Sequence, residues 1–165
     1  MVHVSIASLS VDATSNQPVV ILRPVDDEGP EARLLPIWIG HPEATAILLA
    51  LQDVEPPRPM THDLLRSVIN SLDHLVERIE ITRLEEGTFY AAIVLRGEEQ
   101  SVAVDARPSD SIALAVRTGS PIYVAEEVLD EAAVIAEVVT EIDEEAEVEQ
   151  FREFLEEVDP SDFQG

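Results

Sequence analysis

Twice in this chain, three short strand-like segments are followed by a helix that opens on proline, and this recurrence limits its fold more than any other feature. In the first round, residues 2–11, 18–24 and 34–39 alternate or run apolar as strands do. The turn formers Asp26, Asp27, Glu28, Gly29 and Pro30 precede the third. Gly40-His41-Pro42-Glu43 then opens a helix over 44–52, with Ile47, Leu48 and Leu51 at helical spacing. Past the stiff Glu55-Pro56-Pro57-Arg58-Pro59 loop, Thr61 is expected to be the N-cap of a second helix. Its apolar face is expected to be Leu64, Leu65, Val68, Ile69 and Leu72, with Met60 and Leu65 forming a staple.

The second round runs the same way. Residues 78–85, 89–95 and 100–105 read as strands around the turns Glu86-Gly87 and Arg96-Gly97-Glu98. Arg107-Pro108-Ser109-Asp110 opens a helix, the short apolar segment Ile122-Tyr123-Val124 follows Gly119-Ser120-Pro121, and a further helix is expected near 126–138. Aligned, Ile39 to Ala44 lies on Asp105 to Asp110, and Pro42 falls on Pro108. The expectation is an α+β fold, two β-β-β-α-α pseudo-repeats over about 2–75 and 78–138, within one domain over 1–138. Six strands would join in one curved, barrel-like, mainly antiparallel sheet with the helices outside. Residues 139–165 would form an acidic linker and a C-terminal amphipathic helix over Glu149 to Val158, with Val148, Phe151, Leu155 and Val158 on the face that docks on the body.

Charge narrows the chemistry. Against 34 Asp and Glu stand 10 basic residues, all arginine, for a net charge of -24. Without lysine, Schiff-base chemistry, Walker-type phosphate loops and lysine-dependent nuclease sites are excluded. The acidic excess, concentrated from residue 126 onward, argues against passive binding to nucleic acid, which gains affinity by displacing counterions with cationic side chains. With no cysteine, there is no disulfide and no thiolate zinc site. No apolar run approaches the roughly 20 residues that span a bilayer, and the strand-like start lacks the basic and apolar blocks of a secretion signal. A cytoplasmic location and no membrane association are the expectations.

Two segments concentrate polar groups at helix starts: Arg58-Pro59-Met60-Thr61-His62-Asp63 and Asp105-Ala106-Arg107-Pro108-Ser109-Asp110. Free backbone amides and the helix dipole favour an anion there, and each segment adds an arginine that can fork onto a phosphate. A purely architectural use competes. Thr61, Asp63, Ser109 and Asp110 are also the residues that cap helices, and Arg58 or Arg107 can pair with a neighbouring carboxylate. If the fold brings both starts into one cleft, His62, Asp63, Asp105 and Asp110 can supply acid, base or divalent-metal ligands beside Arg58, Thr61, Arg107 and Ser109 as substrate contacts.

The segments LPIWIGHPEATAI, EPPRPMTHDLL, EEGTFYAAIVL and VDARPSDSIALAVRTGSPIYV resemble, in order and spacing, the bifunctional nuclease (BFN) domain family, over about residues 2–135. The tail EVEQFREFLEEVDPSDF is similar to the C-terminal segment of bacterial members. The resemblance implies a barrel-like α+β fold with two repeats, a dimer or larger homo-oligomer, and nuclease activity on RNA and DNA. Arg58, Pro59, Thr61, His62 and Asp63 fall in one family motif, and Asp105, Arg107, Pro108, Ser109 and Asp110 in another. Two functions follow as expectations. One is phosphodiester hydrolysis of RNA or DNA, with a divalent cation on Asp63, Asp105 or Asp110, Arg58 and Arg107 stabilising phosphate, and His62 moving the proton. The other is a non-enzymatic homo-oligomer that binds a small anion or a protein partner.

Overall fold

The computed structural model describes residues 1–27, 29 and 31–136. The first three segments become strands β1 (Val2–Asp12), β2 (Gln17–Pro24) and β3 (Arg33–Trp38), each antiparallel to the next. A second antiparallel meander is formed by β4 (Leu75–Glu85), β5 (Thr88–Arg96) and β6 (Ser101–Ala106). Glu85 pairs with Thr88 across the two-residue loop Glu86-Gly87, whose φ values of 50° and 77° are both positive. That left-handed geometry matches the twist of the flanking strands, and glycine adopts it without cost. Register shifts between Val76 and Arg78 and between Ile81 and Arg83 put bulges in β4, which add local twist.

The apolar segment after Pro121 is a strand, β7 (Ile122–Val124). It inserts between the meanders, antiparallel to β1 and parallel to β4. A two-residue strand, β8 (Val134–Ile135), adds to the free edge of β3. The sheet therefore has eight strands in the order β6-β5-β4-β7-β1-β2-β3-β8, rather than six. It is also open: among the described residues no pairing joins β6 to β8, so the expected barrel-like closure is corrected. A two-residue edge strand offers too few backbone hydrogen bonds to carry a seam.

Four helices complete the fold: α1 (His41–Leu51), α2 (Thr61–Ser71), α3 (Pro108–Thr118) and α4 (Glu126–Ala132). Thr61 is the first helical residue and not the cap. Met60 holds the cap position, and its N–H donates to Asp63 Oδ2 at 3.0 Å. The expected apolar face of α2 splits. His62, Leu65 and Ile69 turn inward, whereas Leu64, Val68 and Leu72 are exposed. Helix α4 stops at Ala132 rather than near 138, because the chain becomes extended at Ala133 and the β-branched pair Val134-Ile135 takes up the edge of β3. The C-terminal amphipathic helix expected over 149–158 lies outside the described residues.

The core forms as rows across the sheet. Ile79 pairs with Ile93 on one side and Ile122 on the other, and Val4 extends that row through Ile122. Ile79 is fully buried, so truncating it to alanine should cost about 3 kcal/mol. Helix α3 packs between α1 and α2 and onto β4 and β5. Its buried residues include the small Ser109, Ser111, Ala113 and Ala115, which allow close approach. It ends at Gly119, whose φ of 66° is the left-handed C-terminal cap. No helix among the described residues is long and apolar enough to cross a membrane.

Candidate functional site

The position of α3 between α1 and α2 brings three helix starts together. Pro42 and Pro108 lie in the first turns of α1 and α3, where an amide hydrogen would be unsatisfied in any case, so each helix can begin directly after its strand. The first turns then supply Glu43 from α1, His62 and Asp63 from α2, and Asp110 from α3, with Arg107 at the cap of α3.

Four of them, Glu43, Arg107, Asp110 and His62, form one continuous line. Arg107 Nη2 donates to Glu43 Oε1 at 2.7 Å and Arg107 Nε to Asp110 Oδ2 at 2.8 Å. The other Asp110 oxygen, Oδ1, lies 2.9 Å from His62 Nε2. An ionised carboxylate can only accept, so Nε2 carries the hydrogen, which leaves Nδ1 as the ring atom that can take up or hold a second proton. His62 is buried, with 9% of its side chain exposed, while Arg107 is 66% exposed and Asp110 29%. Partial burial works to raise the Asp110 pKa, but hydrogen bonds from Arg107 and His62, and their charge, prevail and hold it below the ordinary value.

Asp63 belongs to a second unit. Arg117 Nε, in the last turn of α3, donates to Asp63 Oδ1 at 2.7 Å, and Arg117 Nη1 donates to the carbonyl of Ala113. The Arg117 side chain is 6% exposed. Burial again works to raise the Asp63 pKa. Its hydrogen bonds from Arg117 and the Met60 amide, with the charges of Arg117 and Arg66, lower it overall.

The structure therefore joins His62, Asp110 and Arg107, and places Asp63 beside them in sequence but on a different arginine. Ser109 is buried at the start of α3, and Thr61 is exposed at the start of α2. Asp105 stands exposed on the edge strand β6, and Arg58 is exposed in the loop before α2. Neither makes a side-chain hydrogen bond or ion pair among the described residues. Asp63, Asp105 and Asp110, expected to offer ligands to a divalent cation, stand on separate elements, Asp105 on the edge strand and the other two on different helices. Among the described residues no three His, Asp or Glu side chains gather as a metal set, and arginines already hold Asp63 and Asp110.

Glu43 and Arg117 were not among the residues expected at the site. Arg117 did leave a signal. It follows Asp110, Ala113 and Leu114 at the spacing of one helix face, and a charge on such a largely apolar face needs a partner.

A family model described as Bifunctional nuclease domain matches residues 20–137. The chain is 46% identical over 172 residues to a Mycobacterium tuberculosis protein described as uncharacterized, covering 100% of this chain and 99% of that one. It is 28% identical over 126 residues to Bifunctional nuclease 2 of Oryza sativa subsp. japonica, covering 74% of this chain and 38% of the relative. It is 26% identical over 110 residues to Bifunctional nuclease 1 of Arabidopsis thaliana, covering 65% of this chain and 33% of that protein.

Proposed function

Because the chain belongs to the bifunctional nuclease domain family, we propose that it is a nuclease hydrolysing phosphodiester bonds in RNA or DNA, with His62 as its proton-transfer group. The observation that carries this proposal is the hydrogen bond from His62 to Asp110 across two helix starts. Asp110 fixes the ring orientation and keeps the hydrogen on Nε2, so Nδ1 is the basic atom. It takes a proton from the attacking water as the new phosphorus–oxygen bond forms, and the resulting imidazolium is stabilised by the carboxylate. That proton then goes to the departing oxygen as the original ester bond breaks. Arg58, exposed and without an ion pair among the described residues, is the group free to meet phosphate charge, with Thr61 beside it at the amide-rich start of α2. Arg107 anchors Asp110 and leaves Nη1 to the substrate. Arginines hold Asp63 and Asp110, so His62 moves the proton without a cation on those carboxylates.

The test is an assay on rigorously purified protein with labelled RNA and DNA, with and without a chelator. Cleavage should persist in the chelator and fall by about a hundredfold or more in His62→Ala, the usual scale of acid–base catalysis. Unchanged cleavage by His62→Ala would overturn the assignment.

A second reading, a non-enzymatic homo-oligomer, has its own support. Leu64, Val68 and Leu72 recur every fourth residue along α2 with exposures of 56%, 46% and 65%. Such a stripe on a helix face is the form that helix-mediated self-association takes. Sedimentation should then show a dimer or larger species that Val68→Arg with Leu72→Arg converts to a folded monomer. A monomeric wild-type protein would remove this reading.

A further inference from the structure

A cavity of about 420 Å3 opens between the middle of α2, the start of β4, the end of β5 and the last turn of α3. Three of its lining residues are arginines, Arg66, Arg96 and Arg117, in a protein with 34 acidic side chains against 10 basic ones. Elsewhere Arg33, Arg78, Arg83 and Arg107 form salt bridges, while Arg23 and Arg58 stand singly without one among the described residues. Inside the cavity, arginines without an ion pair occur together. Arg117 is occupied by Asp63, but Arg66 donates only to the Arg117 carbonyl at 3.2 Å and forms no salt bridge among the described residues. The Arg96 guanidinium has neither a hydrogen bond nor an ion pair among them. Glu77, the carboxylate in the lining, is bound at 2.5 Å to Arg78.

Two guanidiniums that form no ion pair among the described residues therefore line one concavity, Arg66 near enough to Asp63 to help lower its pKa, while the acid beside them, Glu77, shares Arg78 with Glu80. Guanidinium forks match the oxygens of a phosphate group and gain most where a ligand removes water from them. The volume is that of a small-molecule site, and Leu75 and Val76 supply an apolar wall. We propose that this cavity binds a small organic phosphate carrying two or more negative charges, its phosphates between Arg66 and Arg96 and its carbon portion against Leu75. The site is separate from the His62–Asp110 pair. Asp110 lies in the first turn of α3 and Arg117 in its last, about 10 Å apart along the axis at the rise of an α-helix. The proposal does not depend on nuclease activity.

Titration calorimetry of the full chain with sodium pyrophosphate as probe tests it. One equivalent should bind, more weakly as salt is raised. Arg66→Gln and Arg96→Gln should each weaken binding about tenfold, the scale of one charge-assisted contact, and together abolish it. Arg23→Gln and Arg83→Gln, at arginines outside the cavity and outside the His62 site, should leave it unchanged. An absence of saturable binding up to about 10 mM, far weaker than specific affinities, overturns the proposal. So does equal weakening by all four substitutions, which would mean unspecific attraction of an anion.

Discussion

His62 Nε2 and Asp110 Oδ1 lie 2.9 Å apart although 48 residues separate them in sequence. Each sits in the first turn of its helix, so the contact locks α2 to α3 at the end where both present free amides. Asp110 acts through the ring as a positioning residue. Asp110→Asn keeps the size but removes the charge that steadies an imidazolium, and can present its amide hydrogens to the ring instead. The expected outcome is a fall in kcat of about a hundredfold with KM little changed, measured by steady-state cleavage of a labelled oligonucleotide.

Breaking the second carboxylate pair should show up in stability. Arg117→Met leaves Asp63, 18% exposed, facing the space of a lost guanidinium. Urea unfolding should show a loss of about 3 kcal/mol, the scale for removing one partner of a buried pair. Pairing it with Asp63→Leu should recover much of that loss, since replacing both charges by apolar groups is far less costly than stranding one.

Acid should unfold the protein partly through these two carboxylates. Both Asp63 and Asp110 are held below their ordinary pKa in the fold. Each therefore adds stability that is complete above the unfolded-state value of about 3.9 and is lost as pH falls from there through the lower folded value. Chemical denaturation followed from pH 6 downward should show stability declining below about pH 4. Asp63→Asn with Asp110→Asn should flatten that decline while lowering stability at neutral pH.

Gly40 offers a finer probe of the Glu43–Arg107–Asp110 line. Its φ of -75° suits any residue, but a Cβ placed there collides with the Glu43 carboxylate. Gly40→Ala should push Glu43 off Arg107 while changing global stability by no more than about 0.5 kcal/mol, because the displaced group is the end of a flexible side chain. The altered environment of the Arg107 Nε–H should be visible by NMR.

Local chemistry was legible in the sequence where one residue type answers one backbone need. Glu86-Gly87 marked its hairpin because a two-residue loop needs positive φ, and Pro42 and Pro108 marked helix starts. Short strands were not legible as strands. Ile122-Tyr123-Val124 is too short for a period to emerge, and its identity comes from β1 and β4 on either side. The α2 start misled at Thr61, since Asp63 reaches back to the Met60 amide and moves the cap one residue earlier. At the site, the two polar segments stood out, but which acid meets which base did not. Sequence places Asp63 next to His62, whereas adjacent residues on a helix point in different directions, so α3 supplies Asp110 to one and Arg117 to the other.

The insertion of β7 between the two meanders sets an order on synthesis. Val2 and Val4 are made well before their partners on that side, Val124 and Ile122, which leave the ribosome more than a hundred residues later. Until then β1 and β4 both present open edges, because the strand that bridges them does not yet exist. Each meander can close early from local contacts, but joining them waits on three residues near the end of the described chain. A nascent chain ending before Ile122 would therefore leave the β1 and β4 edges unpaired and open to its neighbours.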